Sequence, residues 1–245
     1  MQLSGNRTFN TETGSLSIGG ALSGTGGLVK TGGSNLTLSG DNTYTGPTSV
    51  TAGMLWVNGD QSVATGNLTV NSAAYLGGEG TIGGATTIAG IHDPGRISNA
   101  VGTQTFGAGL SYTATSLFSW TLSSESTTTG FDRIVGNGAL QVHEDAVFRI
   151  VLGTSLGVLD SNFWNVDRTW STIFTGFTGG NFSNSRLLVV ESGATPYHTS
   201  GQGQFSISGT TLTWTAVPEP SAAVVGLLLG AGLLRRRRAG ARDES

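Results

Sequence analysis

Asp132-Arg133 and Asp167-Arg168 each set a carboxylate beside a guanidinium, His92 precedes Asp93, and His143-Glu144-Asp145 joins an imidazole to two acids. These are the residue types that perform acid/base chemistry on a polysaccharide or hold a metal ion. Hydrolysis by carboxylates needs two of them flanking one bond, and each of these groups stands alone, with no second acid or base at a neighbouring repeat position. His143-Glu144-Asp145 is the best metal candidate, yet three successive residues on a strand cannot converge on one ion without a sharp turn. Gly77-Gly78-Glu79-Gly80-Thr81-Ile82 begins like a calcium-binding nonapeptide but carries Ile82 where the ligand aspartate belongs. No serine elbow, P-loop or dinucleotide fingerprint occurs. The chain also lacks cysteine, which excludes disulfide scaffolds, thiolate metal sites and cysteine nucleophiles. The expectation is therefore satisfied turns and solvated corners, with no catalytic residue, no metal and no cofactor.

Charge narrows the partners. Residues 1–217 hold seven basic and twelve acidic residues, a formal charge of −5, while the remaining tail contributes +2. An acidic, charge-poor body argues against nucleic acid, which wants a basic face. Gly, Thr and Ser dominate, with Leu, Val and Ile recurring between the glycines, so burial is available.

The elements that would position any site are short strands. Ser15-Leu16-Ser17-Ile18, Asn35-Leu36-Thr37-Leu38, Thr48-Ser49-Val50-Thr51, Asn67-Leu68-Thr69-Val70 and Thr86-Thr87-Ile88-Ala89 place an apolar side chain at every second residue. Gly, Asn or Asp bounds nearly every run, residues that accept tight corners. Only Ser155 to Trp164 admits a short helix before Ser221. Strands of three to five residues between single corners are too short for a sandwich and suit a parallel solenoid, whose coils stack ~4.8 Å apart. The fold class expected is all-β, a parallel β-helix, with Leu36, Leu38, Val50, Leu55, Val57, Leu68 and Val70 pointing inward.

One segment carries a family pattern. Gly27-Leu28-Val29-Lys30-Thr31-Gly32, Leu36-Thr37-Leu38-Ser39-Gly40, Asn42-Thr43-Tyr44-Thr45-Gly46, Val50 and Gly53-Met54-Leu55-Trp56-Val57 together resemble the autotransporter-associated β-strand repeat over residues 26–58. The resemblance implies a right-handed parallel β-helix in an exported, surface-associated protein. Tyr44 and Trp56 then read as packing residues. Residues 1–102 are read as coils of this kind. Residues 103–216 are richer in aromatics, with Phe163, Trp164, Trp170, Phe174 and Phe177 close together, and are read as the last coils plus a cap over the open end. Leu187 to Val190, Phe205 to Ile207 and Leu212 to Trp214 are its expected final strands.

Residues 217–242 change character. Val217-Pro218-Glu219-Pro220-Ser221 leads into thirteen apolar residues, Ala222 to Leu234, and then into Arg235, Arg236, Arg237 and Arg238. Prolines end regular structure, the apolar run (Leu227, Leu228, Leu229, Leu233 and Leu234 among it) can leave water, and the arginines stay on the cytoplasmic side. At ~1.5 Å per residue the run spans ~20 Å of a ~30 Å hydrocarbon core, a shortfall that snorkelling arginines accommodate. This order of parts resembles the PEP-CTERM sorting signal of Gram-negative bacteria. The resemblance implies a single membrane-anchor helix in the inner membrane, processing by an exosortase, and release to the cell surface or extracellular matrix. An autotransporter passenger would instead be followed by a membrane barrel.

The residues at the amino end, Met1-Gln2-Leu3-Ser4-Gly5, read as the middle of a coil, so further coils and a signal peptide are expected upstream. The function expected is a structural or adhesive envelope protein whose Thr-, Ser- and Asn-rich faces offer contacts to extracellular polysaccharide. The alternative is a carbohydrate-active β-helix enzyme, a lyase or hydrolase, with the same anchor.

Overall fold

A computed structural model of the chain describes residues 1–95, 100–153, 162–191 and 203–217. In the three parallel sheets successive strands do not pair with their neighbours in sequence; each pairs with the strand one coil later. The first sheet has eight parallel strands: β1 (Arg7–Asn10), β3 (Leu28–Thr31), β5 (Thr48–Val50), β8 (Leu68–Val70), β11 (Thr86–Ile88), β14 (Leu110–Tyr112), β17 (Ala139–Val142) and β21 (Thr178–Gly179). The second, also eight-stranded and parallel, comprises β2 (Leu16–Ile18), β4 (Asn35–Leu38), β6 (Gly53–Val57), β9 (Ala74–Gly78), β12 (Ile91–Pro94), β15 (Leu117–Leu122), β18 (Val147–Leu152) and β22 (Arg186–Glu191). A third, five-stranded parallel sheet stacks β7 (Asp60–Gln61), β10 (Thr81–Ile82), β13 (Thr103–Phe106), β16 (Arg133–Gly136) and β20 (Phe174–Thr175). Strand order follows sequence order in all three sheets, as in a solenoid whose coils each donate one strand per side.

Side-chain alternation decides what faces the interior. Leu36, Leu55 and Leu76 lie in one register column, Val50 and Val70 in another, and all are fully enclosed. Leu38, Val57 and Leu68 are enclosed with them, so the seven inward positions read from the alternation are all in the core. Residues from all three sheets join one hydrophobic cluster.

Glycine supplies the corners for a packing reason. A Cβ on Gly46 would come closer than 3.0 Å to the backbone of Gly26, one on Gly66 to Gly46, and one on Gly84 to Gly66. Each coil's turn thus lies in the space that the next coil's side chain would need.

Coils lengthen along the chain. Partners on adjacent coils are 20 residues apart at Leu22 and Asn42, 30 at Ser119 and Arg149, and 40 at Gly138 and Thr178. The wider interior is filled by larger side chains. Phe118 packs against Phe148 and Phe174 at 5.2 and 5.0 Å between centroids, and Phe182 stacks on Phe174 at 5.1 Å.

The last part of the chain departs from the stack. Leu187 to Val190 stay in parallel β22, but β23 (Gly203–Ser208) and β24 (Thr211–Ala216) form a hairpin, and β24 pairs antiparallel with β19 (Arg168–Trp170). Gly209, at φ 60°, makes the two-residue turn between β23 and β24 possible. Trp164, Trp170, Phe205 and Trp214 pack together in this unit, and Trp170 meets Trp120 of the solenoid core at 5.7 Å. All the indole nitrogens of this region are used: Trp214 donates to the Trp164 carbonyl, Trp170 to that of Ser126, and Trp120 to that of Asp132, while Trp164 donates to Glu125.

Among the described residues no helix is long and apolar enough to cross a membrane. The anchor helix expected over Ala222 to Leu234, the Pro218-Glu219-Pro220 segment and Arg235 to Arg238 lie outside the described residues, as do residues 155–161 of the short helix expected before Trp164. Asn162 to Asn165, at its end, form a turn.

Candidate functional site

The titratable groups singled out in the sequence fall into two kinds of place. His92 lies in the inward column of the second sheet, between Leu76 and Phe118, and is fully buried. Its Nδ1 is 2.6 Å from the Tyr112 hydroxyl on the first sheet, and its Nε2 is 2.7 Å from Gln104 Oε1 on the third. Gln104 Nε2 in turn donates to the Gly77 carbonyl at 2.9 Å. That carbonyl needs a donor, which orients the amide and makes His92 Nε2 the donor to Gln104 and His92 Nδ1 the acceptor from Tyr112. Burial holds the imidazole at a pKa of about 4, with the Gln104 hydrogen bond acting the other way. Burial likewise pushes the Tyr112 phenol well above its ordinary range. The result is a neutral polar chain across the lumen, joining three sheets.

Asp132 is also fully enclosed, and its carboxylate accepts from the Gly102 N–H at 2.8 Å and the Thr121 N–H at 2.7 Å. Burial raises its pKa well above the usual carboxyl range, those backbone bonds act to lower it, and the charge of Asp93 adds to the rise. The sequence shows no second acid near Asp132, but the fold brings Asp93 into its electrostatic reach. Both carboxylates are buried, so the pair does not line an open cleft.

The remaining clusters hold local structure. His143 and Asp145 form an exposed turn, with Nδ1 and Oδ2 3.5 Å apart and the Ala146 N–H donating to the His143 carbonyl. Among the described residues no three His, Asp or Glu side chains gather as a metal site. Asp167 Oδ1 accepts from the Ala216 N–H, and the Arg168 guanidinium lies over the Phe163 ring at 4.3 Å. Arg133 lies over Phe131 at 4.9 Å. Trp56 projects from the outer face of the second sheet and its ring covers Gly77, while the Tyr44 hydroxyl bonds Thr48 Oγ1 at 2.6 Å.

Lys30, in the Gly27-Leu28-Val29-Lys30-Thr31-Gly32 segment, has a structural role that its sequence position does not disclose. Its ammonium donates to the carbonyls of Thr31 at 3.0 Å, Gly32 at 2.7 Å and Ala52 at 2.9 Å. Three donors thus meet three corner carbonyls, one of them on the next coil.

Open recesses lie on the outer face of the first sheet. One, of about 210 Å³, is lined by Thr87, Ser111 and Gln141 together with Ala85, Gly109 and Ala139. A second, of about 330 Å³, lies between Thr113, Gln141 and His143. Ser111 and Gln141 line both, so the two form one groove across β11, β14 and β17. It offers hydroxyl, amide and imidazole groups without a carboxylate. Such a surface can exchange hydrogen bonds with a hydroxyl-rich ligand, and it contains no paired acid and base. Thr-rich faces are visible in the sequence in general but these positions are not, because each comes from a different coil and the coil lengths vary.

Residues 28–57, which build β3 through β6, match the passenger-associated transport repeat. The chain is 45% identical over 96 residues to the adhesin BmaC autotransporter of Brucella suis biovar 1 (strain 1330), a match covering 38% of this chain and 3% of the adhesin. It is 48% identical over 62 residues to an extracellular serine protease of Serratia marcescens, covering 25% of this chain and 6% of the protease. The chain thus spans a small fraction of the length of these curated relatives.

Proposed function

We propose that this chain is an exported, non-enzymatic β-helix of the cell surface or extracellular matrix that acts by adhesion, with extracellular polysaccharide as its ligand. The observation that carries the reading is the hydrogen-bonding groove over Thr87, Ser111 and Gln141, set on a scaffold that includes the passenger-associated transport repeat. The chain is similar in part to an adhesin and in part to a protease, so these likenesses support a role in export and display rather than either activity. The solenoid is right-handed in this reading.

Delivery depends on the tail. Val217 to Ser221 serve as the sorting signal, Ala222 to Leu234 as an inner-membrane span, and Arg235 to Arg238 as the cytoplasmic stop, with an exosortase as the processing partner. Val217, the first residue of the signal, is exposed just beyond the last described strand, which leaves it open to a peptidase.

Two experiments test the two halves. Glycan-array binding of the wild type should fall when Ser111 and Gln141 are changed to Ala; equal binding by the variant would rule out the groove as the ligand site. In a host with the exosortase, changing Pro218-Glu219-Pro220 to Ala should leave membrane insertion intact and block processing. A mature carboxyl terminus of the same mass in variant and wild type would leave only a short anchor.

A further inference from the structure

The register of the first sheet lines up five hydrogen-bonding side chains on five successive coils. Ser49 pairs with Thr69, Thr69 with Thr87, Thr87 with Ser111 and Ser111 with Gln141, so the five stand in one column across β5, β8, β11, β14 and β17. Val50, Val70, Ile88, Tyr112 and Leu140, next to them in the chain, are buried, so the column faces outward. Neighbouring strands lie ~4.8 Å apart, which makes the column ~19 Å long.

The fold does not use these side chains. Among the described residues none of the five makes a side-chain hydrogen bond. Two positions further along the strands, by contrast, Thr51 Oγ1 donates to the Lys30 carbonyl and Thr113 Oγ1 meets Thr115 Oγ1. Two positions earlier stand the small residues Ala85, Gly109 and Ala139, which line the recess with Thr87, Ser111 and Gln141. A ligand seated against the column therefore crosses the strands and passes from coil to coil.

Charge restricts what that ligand is. The column contains no acid or base, and residues 1–217 carry a formal −5. His143, the nearest titratable group along β17, lies 3.5 Å from Asp145. An anionic polymer would meet no unopposed cation here. We propose that the column from Ser49 to Gln141 binds a neutral, extended polysaccharide of equatorially linked pyranose rings, laid along the stacking axis with one ring per coil. The inference rests on the adhesion reading and adds Ser49 and Thr69, which lie outside the recess, as specificity-determining contacts. An equatorially linked chain is nearly straight, advances by about one coil spacing per ring, and offers a hydroxyl at either edge of each ring. An axially linked chain curls away and loses register with the column.

The test measures binding of the full chain to cello-, manno- and chito-oligosaccharides of two to eight rings by calorimetry. In at least one series affinity should rise ~2-fold or more for each added ring up to five, as one hydrogen bond per ring gives, and then level off. Malto-oligosaccharides, which curl, and oligomannuronates, which are straight but acidic, should bind at least ~10-fold more weakly at equal length. Ser49→Ala with Thr69→Val should move the plateau from five rings to three and keep trimer affinity within ~3-fold. Ser49→Thr with Thr69→Ser, which retains both hydroxyls, should keep the plateau at five. The inference is overturned if affinity does not depend on length, if the first pair leaves the plateau in place, if the second pair moves it, or if the malto- or mannuronate series binds equally well. Should none of the three equatorial series bind, this inference fails, while adhesion stands if another glycan is retained through Ser111 and Gln141. Retention of no glycan at all would end both.

Discussion

His92 Nδ1 lies 2.6 Å from the Tyr112 hydroxyl, a contact that ties the second sheet to the first through the middle of the solenoid. His92 Nδ1 accepts a hydrogen bond from the Tyr112 hydroxyl only while that nitrogen is unprotonated, and burial keeps it so. A polar chain inside an otherwise apolar lumen lowers the symmetry of the stack, because only one register brings His92, Tyr112 and Gln104 together.

The pH dependence follows from linkage. The His92 pKa is about 4 in the folded chain and lies near its ordinary 6.5 when unfolded, so the unfolded state binds more protons between those values. Stability from this group is complete above pH 6.5 and is lost as pH falls toward 4, by up to ~3 kcal/mol. Asp132, raised in the folded state, acts in the opposite sense, losing stability as pH rises through its folded pKa. Denaturant unfolding of wild type and His92→Asn across this window isolates the histidine: the wild-type curve should fall more steeply on acidification. Parallel curves would show that His92 does not titrate on unfolding.

Lys30→Met keeps the apolar stem and removes the ammonium that caps Thr31, Gly32 and Ala52. The three carbonyls lose a charged donor, and the chain should be destabilised by ~1.5–3 kcal/mol in urea unfolding. An unchanged midpoint would mean that water replaces the ammonium without loss.

Trp214→Ala should open the cap. The indole is fully buried against Trp164 and Phe205, at 5.2 and 4.9 Å between centroids. Loss of a buried Trp costs ~3–5 kcal/mol, and the cavity adjoins Trp170, which contacts the solenoid core. Calorimetry should show a lower transition that remains single if cap and coils unfold together. Two transitions would mean that the cap is an independent unit.

Much of the first hundred residues was legible in the sequence. Alternation at Leu36-Thr37-Leu38 and Leu68-Thr69-Val70 marks strands with one buried face, and glycine or asparagine at each end marks corners. Where coil length is nearly constant, register comes from spacing alone. It fails beyond His92, because Tyr112 and Gln104 become neighbours only once each coil's length is known. The groove residues Thr87, Ser111 and Gln141 are hidden for the same reason. Leu212-Thr213-Trp214 reads as a strand, but alternation is the same in parallel and antiparallel pairing, so the antiparallel sheet is not visible beforehand. Lys30 was visible as part of a pattern, without the corner carbonyls that explain it.

The proposal of adhesion without turnover is tested most directly by incubating the full chain with an extracellular polysaccharide that it retains, then measuring both bound material and its length. The expected result is retention of polysaccharide of unchanged length. Binding should weaken at least ~10-fold in Ser111→Ala with Gln141→Ala, as expected for one or two lost hydrogen bonds, and stay unaffected by Asp167→Ala. Shortened polysaccharide, formed by wild type and not by Asp132→Asn, would contradict the proposal and establish an enzyme.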